Sequence, residues 1–116
     1  MKILVRNQTR NTVLADSADV ADTSAKRRVG LLKHTGLDAG QGLWIVPCES
    51  VHSFFMKFAI DLVYLDRKRK VRKVRHRMVP WRMSVCLTAH SILELPAGTV
   101  KSTGTERGDQ LQFEEL

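Results

Sequence analysis

Cysteine, proline and tyrosine are scarce in this chain: two, three and one among 116 residues. Two cysteines, Cys48 and Cys86, cannot build the dense disulfide framework of a small secreted domain. Neither belongs to a Cys-x-x-Cys pair, so spacing supports neither a zinc ribbon nor a redox couple. Both are expected as free thiols. The three prolines and seven glycines are too dispersed for a disordered linker, and no internal repeat or low-complexity tract is present. Long apolar runs are missing as well. Nothing approaches the ~18–20 apolar residues of a membrane-spanning helix. The opening MKILVRNQTR carries only the short run Ile3-Leu4-Val5, against ~7–15 apolar residues in a signal peptide. The expectation is a cytoplasmic protein forming a single β domain over residues 1–116. No glycine-rich phosphate loop, Gly-x-Ser-x-Gly elbow or His-Glu-x-x-His pair occurs. No cofactor and no bound metal are therefore expected.

Acid is absent where base is densest. Residues 67–82, RKRKVRKVRHRMVPWR, hold Arg67, Lys68, Arg69, Lys70, Arg72, Lys73, Arg75, Arg77 and Arg82, and no Asp or Glu. Nine of the nineteen basic residues lie there; the remaining ten face twelve acids elsewhere, a balance of −2. The protein reads as a mildly acidic domain carrying one basic strip. Such a strip suits phosphates, whether of nucleic acid, an anionic membrane face or an acidic partner, with Trp81 as a stacking platform. It equally suits a solvated hairpin that confers solubility.

The apolar pattern has mostly a period of two, the mark of strands. Met1–Arg6 and Thr12–Ala15 form a hairpin around the turn residues 7–11, and Ser17–Asp22 is polar. One helix is predicted from about Ser24 to Lys33, capped by Asp22, Thr23 or Ser24 and weakened by Gly30. GLWIV (42–46) is a strand stopped by Pro47. Through residues 52–66 the even positions, Phe54, Met56, Phe58, Ile60, Leu62 and Tyr64, form the core side. Val71–Met78 returns antiparallel, HSILELP (90–96) is a strand with Ile92 and Glu94 on one side, and Gln110–Glu114 is the last. The fold class is mainly β: a compact, jelly-roll-like sandwich or barrel of short antiparallel strands, with one short helix near residues 24–33.

These blocks resemble the family called domain of unknown function 192. The likeness runs from about Arg28 to Phe113 and is carried by RRVGLL (27–32), GLWIVPCESVHSFFMKFAIDLVYLD (42–66), PWR (80–82), LELPAGT (93–99) and GTERGD (104–109). One branch reads Pro-Cys-x-Ser-Val-His-Thr-x-x-Met-Arg-Phe-Pro-Ile-Asp, met here at Pro47, Cys48, Ser50, Val51, His52, Met56, Phe58, Ile60 and Asp61. The departures are Phe55 for glycine or tryptophan, Lys57 for arginine and Ala59 for proline. Lys57 keeps the charge but loses the bidentate fork of arginine. The resemblance implies a compact, mostly β fold with a short helix, and no established activity.

Candidate site residues follow from both readings. Cys48, His52 and Asp61 supply a thiol, an imidazole and a carboxyl, the components of a metal site or of a nucleophile with its base. Against this, four residues of extended chain span ~13 Å, too far for Cys48 and His52 to share one ion. The bland alternative packs Cys48 in the core, lets His52 cap a strand and uses Asp61 to order a bend. Lys57 and Asp61 share the odd side and either pair or face a pocket. The resemblance adds Glu94 beside Asp61. The leading expectation is a noncatalytic binding module that takes a polar or anionic ligand or partner through Cys48, His52, Lys57, Asp61 and Glu94. Alternatives are a nucleic-acid-binding protein using the basic strip with Trp81, and a hydrolase or metal-dependent enzyme using Cys48, His52 and Asp61.

Overall fold

The computed structural model describes residues 1–116. Nine strands and two short helices follow one another as β1 (Lys2–Asn7), β2 (Thr12–Ala21), α1 (Ser24–Val29), β3 (Gln41–Ile45), β4 (Ser50–His52), β5 (Ile60–Leu65), β6 (Val71–Met78), β7 (Met83–Val85), β8 (Ser91–Pro96), α2 (Thr99–Thr103) and β9 (Leu111–Glu115). Seven strands make one curled sheet in the order β6-β5-β8-β3-β2-β1-β9, and β4 with β7 forms a separate two-stranded ribbon. All pairings are antiparallel except β2 with β3. The two ends of the sheet meet at one corner: Lys70 bridges to Gln110, and the Val71 and Leu111 amides donate to the Asp109 and Arg69 carbonyls at 2.8 and 3.0 Å. The architecture is one sheet rolled toward a barrel, rather than the two stacked sheets of a jelly roll.

A strand in a curled sheet must satisfy two faces, and the sequence does so with two cores. One gathers Ile3, Val5, Leu14, Ala18, Val63, Leu65, Val71, Leu93, Leu95 and Leu111 from six strands, with Val100 of α2 added. The other gathers Leu43, Ile45, Ile60, Leu62, Tyr64, Met78 and Ile92 from the opposite face, with Leu31 and Met56 from loops. β5 is therefore buried at all six positions, apolar at every one except Asp61. β3 and β8 approach so closely that a Cβ on Gly42 would stand 3.0 Å from the Glu94 carbonyl oxygen and 3.1 Å from Leu95 Cδ2.

Several elements differ from the sequence reading. β2 continues through the polar segment to Ala21, because Ala18 and Val20 reach the core while Asp19 stays outside. The helix stops at Val29, one turn after its Thr23 cap, whose hydroxyl accepts from the Lys26 amide at 3.2 Å. Residues 53–59 are a loop and not part of a strand. Phe55 has φ 67°, which breaks an extended run, and its ring is exposed. Met56 still reaches the core, whereas Phe54 and Phe58 are half-buried. The second helix, α2, went unread because TVKST carries no apolar period.

Candidate functional site

α1 and the turns that follow it lie over the second core, facing the chain between β3 and β4. A cleft of about 230 Å³ opens between them. Leu31, Ile45, Val51 and Met56 give it apolar walls, Arg27 and Arg28 come from α1, and Cys48, Ser50 and His52 from the opposite side. Glu94, from the middle of β8, also lines it.

Glu94 is the chemical anomaly of the molecule. It is 4% exposed, sits among Leu43, Leu62 and Ile92, and receives neither a hydrogen bond nor an ion pair from the protein. Burial alone raises its pKa to about 7. A carboxyl of this kind is neutral or charged according to small changes in its surroundings.

Asp61 is its register neighbour: Asp61 lies opposite Leu95, and Leu62 opposite Glu94. Successive strand residues point to opposite faces, so the two acids diverge. Asp61 is fully buried on the first-core side and does not line the cleft. Its Oδ2 accepts from the Gly98 and Val100 amides at 3.0 and 2.9 Å, and its Oδ1 from the Arg77 amide at 2.8 Å. Asp61 thus caps α2 across the sheet and holds the bulged end of β6. The thiol–imidazole–carboxyl grouping does not assemble, because its carboxyl is on the other face.

Cys48 is half-buried, and its thiol donates to the Ser50 carbonyl at 3.1 Å. Burial raises its pKa, and the charges of Glu94 and Glu49 add to the effect, so the thiol is not activated. His52 is exposed and stacks on Phe54 with ring centres 4.8 Å apart; its ring makes no hydrogen bond to Cys48. Lys57 is exposed in the 53–59 loop and does not line the cleft. No three His, Cys, Asp or Glu side chains come together as a metal-binding group. Of the five residues singled out, Cys48, His52 and Glu94 share the cleft; Lys57 and Asp61 lie elsewhere. Arg27, Arg28 and Met56 were missed as lining residues, since only the packing of α1 and the 53–59 loop over the second core brings them there.

The basic strip occupies the β5–β6 turn, β6 itself and the approach to β7. None of its residues forms an ion pair; the pairs in the structure belong to Lys2 and Arg10. Several are engaged internally. Lys73 and Arg75 donate to the Val85 and Met83 carbonyls at 2.9 and 2.7 Å, and Arg72 to the Thr88 hydroxyl at 3.4 Å. The Arg69 guanidinium lies over Phe113 and Trp44, 4.4 and 5.3 Å from the ring centres. Arg67, Lys68, Lys70, Arg77 and Arg82 are exposed. Trp81, also exposed, stacks on Phe54 and meets Phe55 edge-on.

The model of the domain of unknown function 192 family, described as "Uncharacterized ACR", matches residues 5–113. The chain belongs to this family. Members similar to it include a UPF0127 protein of Thermococcus sibiricus, 33% identical over 114 residues that make up 93% of this chain and 73% of that protein. Another is a UPF0127 protein of Pyrococcus horikoshii, 30% identical over 95% of this chain and 98% of that one. Two solved structures share the fold. One is a Sinorhizobium meliloti protein described as a "putative transcription regulator", with TM-score 0.84, 18% identity, and coverage of 97% of this chain and 92% of that one. The other, of unknown function, comes from Novosphingobium aromaticivorans, with TM-score 0.82, 18% identity, and coverage of 97% and 84%. In this member of the family no helix is long and apolar enough to cross a membrane.

Proposed function

We propose that the chain is a noncatalytic binding module, and that the cleft under α1 takes a small zwitterionic compound with an apolar body. The carrying observation is Glu94, an unpartnered carboxyl at a site with apolar walls. A buried carboxyl without a donor costs free energy that a ligand ammonium or amide would recover. The Arg27 and Arg28 guanidinium groups reach only the Asp22 carbonyl and the Ser24 hydroxyl at 3.4 Å each, and neither pairs with a carboxylate. They suit the anionic end of the same compound. The volume of about 230 Å³ lies below the ~300–1,000 Å³ of drug-sized pockets, so the ligand is of amino-acid size.

The other readings have less support. A hydrolytic centre on Cys48, His52 and Asp61 lacks its carboxyl and an activated thiol. Nucleic-acid binding along the strip has to work with Lys73, Arg75, Arg72 and Arg69 already engaged inside the protein.

Calorimetric titration with apolar amino acids, against the matching amines and carboxylates alone, tests the proposal. The expected result is binding by the zwitterions, about tenfold weaker after Glu94→Gln, which corresponds to about 1.4 kcal/mol. Binding is expected to tighten as pH rises through about 7, where Glu94 ionises. If no zwitterion binds, or if Glu94→Gln binds equally well, the proposal fails.

A further inference from the structure

Exposed large apolar side chains are concentrated in one region of the molecule. Phe55 is 72% exposed, Trp81 56%, Met83 67%, Val85 50% and Leu87 76%. The pleat of the β4–β7 ribbon explains the alternation: Ser84 faces inward and is buried, while Met83 and Val85 face outward. Phe55 and Trp81 join the same region through their ring contact at 4.7 Å. Both have φ 67°, a backbone conformation that bulky residues rarely adopt, and both rings are nonetheless held toward solvent. A cluster of this kind marks an interaction surface.

Its rim is basic. β7 pairs with β4 along one edge only, and its other edge directs the Met83 and Val85 carbonyls to Arg75 and Lys73. Arg72 continues this row at Thr88, and Arg67 and Lys68 stand beside Thr88 and Ala89. Arg82 follows Trp81 at the other end. Acid enters only at the margins. Glu49 lies on the β4 side, its carbonyl taking the Cys86 amide, and the Asp66 carboxylate is held by the Lys68 and Lys70 amides.

We infer that this face docks on an anionic lipid bilayer, with Phe55, Trp81, Met83, Val85 and Leu87 entering the interface and the exposed Arg67, Lys68 and Arg82 meeting lipid phosphates. An apolar patch beside a row of cations matches the layering of a bilayer, hydrocarbon behind a plane of phosphates. A second copy of the chain fits poorly, since its own basic rim would be brought against this one. A single-stranded nucleic acid would use stacking faces, and Met83, Val85 and Leu87 have none.

Co-sedimentation of the full chain with vesicles of phosphatidylcholine and phosphatidylglycerol, against phosphatidylcholine alone, tests the inference. The chain is expected to bind the anionic vesicles at least about tenfold more tightly at low salt. Trp81 emission is expected to shift to the blue on binding, and the shift to vanish in Trp81→Phe. The double variant Phe55→Ser/Leu87→Ser is expected to lose at least about tenfold in affinity, with Leu87→Ser alone as the milder variant. Equal binding to both vesicle types, binding to neither, or full binding by the serine variants would overturn it. So would tighter binding to an oligothymidylate, which assigns the face to nucleic acid. Concentration-dependent dimerisation abolished by the serine variants would assign it to a second copy.

Discussion

Two buried acids, one residue out of register on neighbouring strands, are treated in opposite ways. Asp61 is surrounded by donors: three backbone amides at 2.8–3.0 Å fill its oxygens. Glu94 has none. The corner where the sheet closes repeats the first pattern. There Asp109 Oδ2 accepts from Asn7 Nδ2 at 2.9 Å, the Glu106 amide at 3.0 Å and Arg10 Nε at 3.1 Å. Burial pushes the Asp109 pKa up, but these hydrogen bonds and the Arg10 charge outweigh it and leave it lowered. A saturated acid organises backbone, whereas an empty one holds open a demand that only something outside the chain can meet.

The largest effect that breaks this contrast is at Asp61. Asp61→Ala strands three amides, two at the start of α2, and is expected to cost about 3–5 kcal/mol in urea unfolding. Next is Glu94. Its folded-state pKa lies above its unfolded value, so the native chain binds more protons between about pH 4.5 and about pH 7. Stability is therefore full below that window and declines as pH rises through it, by roughly 3 kcal/mol for a shift of this size. Glu94→Gln is expected to flatten this slope and to raise stability by roughly 3 kcal/mol at about pH 8, with little change at about pH 4. An unchanged pH profile would mean that Glu94 finds a partner in solution.

Asp109 has the opposite sign. Its lowered pKa supplies stability above its ordinary range, and that stability is lost as pH falls through the folded-state value. Asp109→Asn is expected to cost about 2 kcal/mol near neutral pH and to make acid unfolding shallower. The smallest effect is on the ribbon edge. Lys73→Met removes one donor to the Val85 carbonyl but keeps the stem over the Tyr64 ring, 5.6 Å from Nζ to the ring centre. A loss of about 0.5–1 kcal/mol is expected, with hydrogen exchange accelerated in β7 before the curled sheet.

Much of the fold was legible in the order of residues. Period-two alternation located the strand segments now seen as β1, β3, β5, β6, β8 and β9, but the burial of both faces along the whole of β5 was not read from it. The family blocks were legible as well. Two local errors have local causes. Residues 53–59 alternate like a strand, but the positive φ of Phe55 and the Ser53 hydroxyl, bonded to the Val79 carbonyl at 2.7 Å, turn them into a loop. The polar run ADSADVA hid the second half of the strand read at Thr12–Ala15, because alternating alanine is a weak apolar signal. At the site, the sequence reading grouped Cys48, His52, Lys57, Asp61 and Glu94; the fold brings Cys48, His52 and Glu94 to one cleft and places Lys57 and Asp61 elsewhere. A lone acid in an apolar strand signals a buried partner without saying on which side that partner lies.

The sequence by itself determined that this is a mainly β member of its family, with a basic strip. Composition and periodicity act locally, and each residue carries them wherever the chain goes. Tertiary structure alone decided which acid is satisfied and which is not. That choice depends on α2 arriving at one face of β5 while α1 and the 48–56 segment cover the other face, contacts between residues some 35 to 70 positions apart in the chain. The same long-range packing turned Lys73 and Arg75 of the basic strip onto the ribbon and left Phe55, Trp81, Met83, Val85 and Leu87 facing out.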